Sequence, residues 1–379
     1  MTITIGVARE TASGERRVPL VPETARKLVA LGVRLRMQRG AGTAAGFTDA
    51  AYADVGVQLV DDAAAALGDA DIVLCVQPPP VPVLQELRTG TVLVGQLAAQ
   101  AEAARSEAIV ARGLVAFPLE RLPRTTRAQA MDVLSSQAGM AGYKAVLLGA
   151  QLSPRFFPML TTAAGTIRPS RVLIIGAGVA GLQAVATAKR LGAQVEGFDV
   201  RPETREQIQS LGGKFLDLGV SAAGEGGYAR QLTEEERAEQ QRRLGEHLKL
   251  VDVVVTTAAV PGRPAPKILT AAMVAGMRPG SVVIDLAAET GGNCECTRPG
   301  ETIDIGGVTV AGPLNLASSG ATHASEMFAR NVFNFVSLFV RDGAVHFDWD
   351  DELLAKTVWP ERPVPTDAGV TAEALPGSA

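Results

Sequence analysis

The sequence has 379 residues, with 36 Lys and Arg against 40 Asp and Glu for a net charge of −4, and it is 47% apolar but only 4% aromatic. A chain of this length supports two ordinary domains with cores of Ala, Val, Leu and Ile, as an α/β protein requires. A mildly acidic balance with no dense basic stripe argues against nucleic acid or anionic lipid as a partner.

Cys75, Cys294 and Cys296 are too few and too unevenly spaced for a disulfide framework or a structural zinc site. A reducing, cytoplasmic setting is expected, with no metal. The N-terminus MTITIGVARE lacks a basic segment followed by an apolar one. No apolar run approaches the ~20 residues that span a bilayer, so direct membrane insertion is not expected.

In chain order, residues 3–7 read as a strand, 23–31 as a helix and 33–38 as a second strand. A Gly-rich turn over 40–46 leads to a short helix, a strand at 57–60 and a helix at 61–67. DIVLCVQ (71–77) is a buried strand stopped by Pro78, Pro79 and Pro80, and strands recur at 92–95 and 114–117 with a helix between them. Strands alternating with helices predict a parallel, doubly wound sheet. A helix over 138–152 then joins this unit to a second one. That unit has strands at 172–175, 214–218, 251–257, 281–286 and 309–311, followed by a long helix over 324–340. The last thirty or so residues, rich in Pro, Ala and Thr, read as a loosely held tail. The prediction is α/β: two Rossmann-like parallel sheets flanking an interdomain cleft. The first domain takes residues 1–135 plus 322–379, with the C-terminal helix returning to it, and the second takes 136–321.

The chain is organised around RVLIIGAGVAGLQAVATAKRLGAQVEGFDVR, residues 171–201. After an apolar strand, Gly176, Gly178 and Gly181 follow the G-x-G-x-x-G pattern. The first glycine allows the tight turn, the second lets backbone N–H groups reach a pyrophosphate, and the third lets the helix from Val179 pack on the sheet. Asp199 closes the unit where a carboxylate can take the ribose hydroxyls, which favours NAD over NADP. Arg201 works against that preference. The first unit lacks such a turn and is not expected to hold the adenine half of a nucleotide.

Between residues 219 and 245 the periodicity breaks. Gly224, Gly226, Gly227 and Tyr228 read as the tip of a mobile lid, followed by a highly charged helix. RTTRAQAMDVLSS, residues 124–136, places Arg124, Arg127, Gln129, Asp132 and Ser135 at the junction between the units, beside the nicotinamide end of the cleft. A dehydrogenase that reduces a carbonyl also needs a proton donor, usually His or Lys. Of His247, His323 and His346, only His323 falls near the cleft, at the start of the long helix. Hydride exchange between two nicotinamide rings needs no such donor.

These segments give the chain a close resemblance to the soluble NAD(H)-binding subunit (alpha-1, domain I) of proton-translocating NAD(P) transhydrogenase. The resemblance covers residues 1 to about 340. It is carried by ERRVPLVPE, RAQAMDVLSSQAGMAGY, GAGVAGLQAVATAKRLGA, SLGGKF, GGYA, PGSVVIDLAAETGGNC and FARNVFNF. It implies that Arg124, Gln129, Asp132 and Ser135 contact the nicotinamide end of NAD(H), with Gln129, Arg124 and Asp132 the catalytic set and Arg127 a further expected cofactor contact. It extends the cofactor contacts to Gly176, Gly178, Val179, Ala180, Gly181, Asp199, Val200, Arg201, Gly227, Tyr228 and Ala258. It also implies a homodimer, docked at the inner face of the membrane on a membrane-embedded partner that carries NADP(H) and the proton channel. Alanine dehydrogenase is a related family of the same fold. Its substrate-binding lysine falls on Gln77 here, its catalytic histidine on Ala98, its cleft aspartate on Glu289 and its arginine on Arg17. The first two replacements argue against amino-acid oxidation. A non-catalytic NAD-sensing module is the remaining alternative.

Overall fold

The computed structural model describes residues 2–99, 101–219, 233–259 and 263–361. The first sheet contains β1 (Thr4–Val7), β2 (Arg34–Gln38), β3 (Gln58–Val60), β4 (Ile72–Leu74), β5 (Val92–Gly95) and β6 (Val115–Pro118). Its order is β3-β2-β1-β4-β5-β6 and every pairing is parallel. Both faces are covered, so the central strands β1 and β4 are buried along their whole length and read in sequence as apolar runs. Strand β4 is shorter than the predicted 71–77. The N–H groups of Val76 and Gln77 leave the ladder to donate to the Glu10 carboxylate, at 2.5 and 3.2 Å.

Helix α1 (Val133–Leu152) links the two units. It begins before the predicted Ala138 because Asp132 caps it, accepting from the Ser135 N–H at 2.9 Å. An exposed antiparallel hairpin, β7 (Leu160–Thr162) with β8 (Gly165–Ile167), follows and is absent from the predicted elements.

The second sheet contains β9 (Arg171–Ile175), β10 (Gln194–Phe198), β11 (Lys214–Phe215), β12 (Val253–Thr256), β13 (Val282–Asp285), β14 (Thr302–Ile305) and β15 (Val308–Ala311). The order is β11-β10-β9-β12-β13-β15-β14, parallel except for β14 against β15. Strand β14 is also missing from the predicted elements, because an edge strand, alternately exposed and half-buried, lacks the continuous apolar run of its neighbours. Both parallel sheets of the expected α/β architecture are therefore present.

Helix α2 (Val179–Arg190) follows β9, and α3 (Glu234–Leu248) precedes β12. Helices α1 and α2 cross at backbone contact. A Cβ on Gly142 would lie 2.0 Å from the carbonyl oxygen of Ala180.

Helix α4 (Ala321–Val336) starts and stops slightly before the predicted 324–340. Its inner face buries Phe328 and Phe335 in the core of the first sheet. Phe335 meets Phe117 edge-on at 5.2 Å, and Phe339 stacks on Phe117 at 5.5 Å. Phe347 and Trp349 extend this cluster, their rings 4.7 Å apart, so much of the small aromatic complement is concentrated where the chain returns.

The loosely held tail expected for the last thirty residues is corrected up to Glu361. Helix α5 (Glu352–Thr357) buries Leu353 and Leu354, and Trp359 pairs antiparallel with Ala116 beside β6. The Pro, Ala and Thr bias of the tail obscures these apolar anchors, Val358 among them.

Candidate functional site

The G-x-G-x-x-G turn leaves the end of β9 at the point where the strand order reverses between β9 and β12, the usual position of a ligand crevice in such sheets. Gly176 has φ +98°, which favours glycine, and a Cβ there would meet Thr257 Oγ1 at 2.6 Å. A Cβ on Gly181 would lie 1.8 Å from the Gly176 carbonyl oxygen, so helix and turn are in backbone contact. Among the described residues, no atom beyond its chain neighbours lies within 4 Å of such a Cβ on Gly178. Gly178 and Val179 are exposed, and the N-cap residue Gly178 has no side chain to cap α2. The first N–H groups of α2, with the positive end of its dipole, are thus open to an anion. Ala180 lies half-buried in the same turn.

Asp199 follows β10 and is 9% exposed. One carboxylate oxygen accepts from the Arg201 N–H and Nε, both at 2.9 Å, and the other from Arg201 Nη2 and the Ala177 N–H, both at 2.7 Å. Burial opposes ionisation of Asp199, but these donations from Arg201 and Ala177 outweigh it and hold its pKa below the ordinary value. Arg201 is therefore the direct partner of Asp199. Val200, between them, is half-buried and packs on the second core.

Ala258 follows β12 on the other side of the switch point. Asn293, fully buried, holds it from both sides: its Oδ1 accepts from the Ala258 N–H at 3.0 Å, and its Nδ2 donates to the Ala258 carbonyl at 2.7 Å. Asp285, also buried, braces the wall behind through Thr256, Ala287, Cys294 and Thr297. Neither residue is among the sequence-predicted site residues. The signal available was a buried-strand aspartate followed by GGNC.

The segment from Arg124 divides in the structure. Arg124 and Gln129 are exposed, Gln129 on the turn of 3-10 helix Thr126–Met131. Arg127 is bound by both guanidinium ends to Asp351, one contact being 2.8 Å, and so ties this turn to the cap of α5. Asp132 and Ser135 lie together at the start of α1, with Ser135 Oγ donating to Asp132 Oδ2 at 2.5 Å. Gly227 and Tyr228 fall outside the described residues. His247 pairs with Glu196 at 2.7 Å on α3, and His323 and His346 are exposed.

A charged cluster that the sequence does not reveal as a unit occupies the place where the carboxyl ends of the two sheets meet. Arg17, in the loop after β1, binds Glu15 at 2.6 Å, and Glu10 lies behind them. Burial raises the Glu10 pKa from 4.5 to about 7, assisted by the charge of Glu15 and opposed by Arg17 and the Val76 and Gln77 N–H groups. Burial also disfavours ionised Glu15, but hydrogen bonds and charge from Arg17, with Asn315, bring it down to about 2.

The two acids act in opposite pH windows. Folded Glu10 keeps its proton while the unfolded chain loses it, so its contribution falls as pH rises from about 4.5 to about 7, by at most roughly 3 kcal/mol. Glu15 contributes stability above pH 4.5 that is lost as pH falls towards 2. Glu10→Gln should therefore melt less differently between pH 5 and pH 8 than the native protein. Parallel melting curves across that range would rule out a proton held by Glu10.

Residues 6–141 match the family domain described as Alanine dehydrogenase/PNT, N-terminal domain, and residues 145–362 match Alanine dehydrogenase/PNT, C-terminal domain. Over 342 residues the chain is 44% identical to an NAD(P) transhydrogenase subunit alpha polypeptide of Rhodospirillum rubrum, covering 88% of this chain and 89% of that one. The crystal structure of transhydrogenase from Sinorhizobium meliloti superposes with a TM-score of 0.86 at 39% identity, covering 95% of this chain and 98% of the other. An L-alanine dehydrogenase structure gives 0.74 at 26% identity, over 88% and 89% of the two chains.

Proposed function

Because the chain belongs to the alanine dehydrogenase/PNT family, and is more similar to NAD(P) transhydrogenase subunit alpha than to alanine dehydrogenase, we propose that it is the NAD(H)-binding subunit of a proton-translocating transhydrogenase. In this reading hydride passes directly between NAD(H) held here and NADP(H) held on a membrane-embedded partner subunit, at the inner face of the membrane. Transfer is coupled to a proton channel in that partner, and the chain is active only in its company.

The observation that carries the reading is the open, uncapped N-terminus of α2 at Gly178 and Val179. It is flanked by Asp199 and Ala258, and an exposed amide, Gln129, stands at the start of the linker. The pyrophosphate sits on the helix end, with Gly176, Ala180 and Gly181 shaping the turn and Asp199, Val200 and Arg201 taking the adenosine ribose. Arg124, Gln129, Asp132 and Ser135 serve the nicotinamide end. Arg127 supports them through Asp351.

Gln77 and Ala98 support hydride exchange over amino-acid oxidation. Gln77 donates to Glu15 at 3.1 Å, and Ala98 has no side chain able to deliver a proton. Among the described residues no helix is long and apolar enough to cross a membrane. The homodimer has a candidate surface in the arm before β9, where Phe156, Met159, Leu160 and Ile167 are all exposed. Sedimentation as a monomer at micromolar concentration would remove it.

NADH should bind the isolated chain at least roughly tenfold more tightly than NADPH, a difference of about 1.4 kcal/mol. Both ribose hydroxyls can replace Arg201 donors on Asp199, whereas a 2′-phosphate cannot donate to a carboxylate. Equal affinities in fluorescence titrations at matched ionic strength would exclude this assignment of Asp199.

A further inference from the structure

Helix α4 meets the turn that carries Gln129 through two carboxamides. Asn331 and Asn334 stand three residues apart on one face of the helix, and both donate to the same acceptor. The Ala130 carbonyl oxygen takes Asn331 Nδ2 at 2.8 Å and Asn334 Nδ2 at 2.9 Å. Ala130 directly follows Gln129 in the 3-10 helix Thr126–Met131 and is itself exposed. Asn331 also reaches past the turn. Its Oδ1 accepts from Ser136 Oγ of α1 at 2.7 Å, Ser136 Oγ accepts from Gln137 Nε2 at 3.2 Å, and the same Nε2 donates to the Ala324 carbonyl of α4 at 3.1 Å. Asn331 is 8% exposed and Asn334 is half-buried.

A carbonyl near the end of a helical turn runs out of donors within the turn and needs one partner from outside. Ala130 has two, which occupy both lone pairs of its oxygen and so fix the direction of the peptide group as well as its depth. Elsewhere the inner face of α4 is apolar, with Phe328 and Phe335 in the first core, and an apolar residue at 331 would avoid the desolvation that a buried carboxamide costs. Fastening the turn therefore requires less than is present. Two residues before Gln129, Arg127 is bound to Asp351. Gln129 thus lies between two anchors, both supplied by the C-terminal part of the chain that returns to the first domain.

We propose that Asn331 and Asn334 are positioning residues for hydride transfer, which together set the height of the turn from which the Gln129 amide reaches the two nicotinamides. Neither asparagine contacts a nucleotide in this role. Each acts through the Ala130 peptide, and the inference rests on the part proposed above for Gln129.

Asn331→Leu/Asn334→Leu removes both donors and keeps branched side chains of similar length, and Ser136 Oγ retains the Val133 carbonyl as an acceptor at 3.2 Å. In the complex with the membrane partner, at saturating NADH and NADP+, this double variant should turn over roughly tenfold more slowly, because small misplacements of reacting groups are costly. Its NADH dissociation constant should stay within about twofold of the native value. On a Gln129→Asn background the same pair should add less than about twofold, since a shortened amide no longer depends on where the turn sits. A general loosening of the fold would instead move NADH affinity and add to Gln129→Asn in full. Native turnover in the double variant overturns the proposal, as does an additive loss, or a fall in NADH affinity proportional to the rate. Gln129→Asn measured alone separates the two levels of inference: native turnover there removes the role of Gln129 and the clamp with it, whereas slow turnover there beside a native-like double variant removes the clamp alone. If the double variant does not fold, Asn334→Leu decides by itself, a loss of about threefold supporting the proposal and a native rate overturning it.

Discussion

Gly178→Ala should melt like the native protein and lose NADH affinity by roughly tenfold or more, whereas Gly181→Ala should lose about 3 kcal/mol of stability before any ligand is considered. The two glycines belong to one motif, and the structure separates what each is for. At Gly178 the added methyl meets nothing within 4 Å among the described residues, and φ is −78°, which alanine adopts without strain. The space it fills is the space a pyrophosphate must enter to reach the N–H groups of α2. At Gly181 the methyl would stand 1.8 Å from the Gly176 carbonyl oxygen and 3.1 Å from Thr257 Oγ1. The first of these is backbone, so α2 must move away from the sheet. Thermal melts with and without NADH separate the effects. A destabilised Gly178→Ala would mean that the turn is packed for the fold alone, and a native-like Gly181→Ala would mean that α2 has freedom the close contact denies.

The parts of this molecule that can be read from sequence are those where a local pattern has only one physical use. Parallel strands covered on both faces must be short apolar runs, so β1, β4, β9, β12 and β13 are legible. The turn after β9 is legible because each glycine has a different use: Gly176 the left-handed turn, Gly178 the open approach to the helix end and Gly181 the close contact of helix and turn. Elements with mixed environments are not. Strand β14 is half exposed, the β7–β8 hairpin is exposed throughout, and α5 hides its apolar residues in a polar, proline-rich tail. The start of α1 lies before its predicted position because the structure uses the Asp132 carboxylate, which reads in sequence as a cofactor contact, as a helix cap.

The least legible feature is the cluster around Glu15. Arg17, Gln77, Gln137 and Asn315 lie far apart in the chain, and each is ordinary in its own segment. Only the meeting of the two sheets brings the donors of Arg17, Gln77 and Asn315 around one carboxylate, with Gln137 Oε1 accepting from Arg17. Arg201 shows the same limit at short range. Proximity in sequence suggests a charge that merely weakens NAD preference, but its fork on Asp199 leaves the ribose site electrically balanced. On the proposed function, ribose hydroxyls compete there with a guanidinium, so selectivity would depend on donor geometry as well as charge.

Gln129→Asn should cut transhydrogenation with the partner subunit by roughly ten- to a hundredfold while leaving NADH affinity nearly unchanged. Direct hydride transfer requires the donor and acceptor carbons to approach within about 3 to 3.5 Å, and misplacement by about 1 Å can cost a hundredfold in rate. Gln129 is suited to enforcing that approach. It is exposed on a short 3-10 turn fixed at one end by Arg127 on Asp351 and at the other by the Asp132 cap of α1. The turn holds the backbone, so shortening the side chain by one methylene withdraws the amide by about 1.5 Å without changing its chemistry. The amide carries no titratable proton, so the loss should be independent of pH across the range where the complex is stable. A fall in turnover with binding intact marks an interaction strengthened on the way to the transition state. If NADH affinity fell in proportion to the rate, Gln129 would be an ordinary ligand of bound nucleotide and would have no special part in bringing the two rings together.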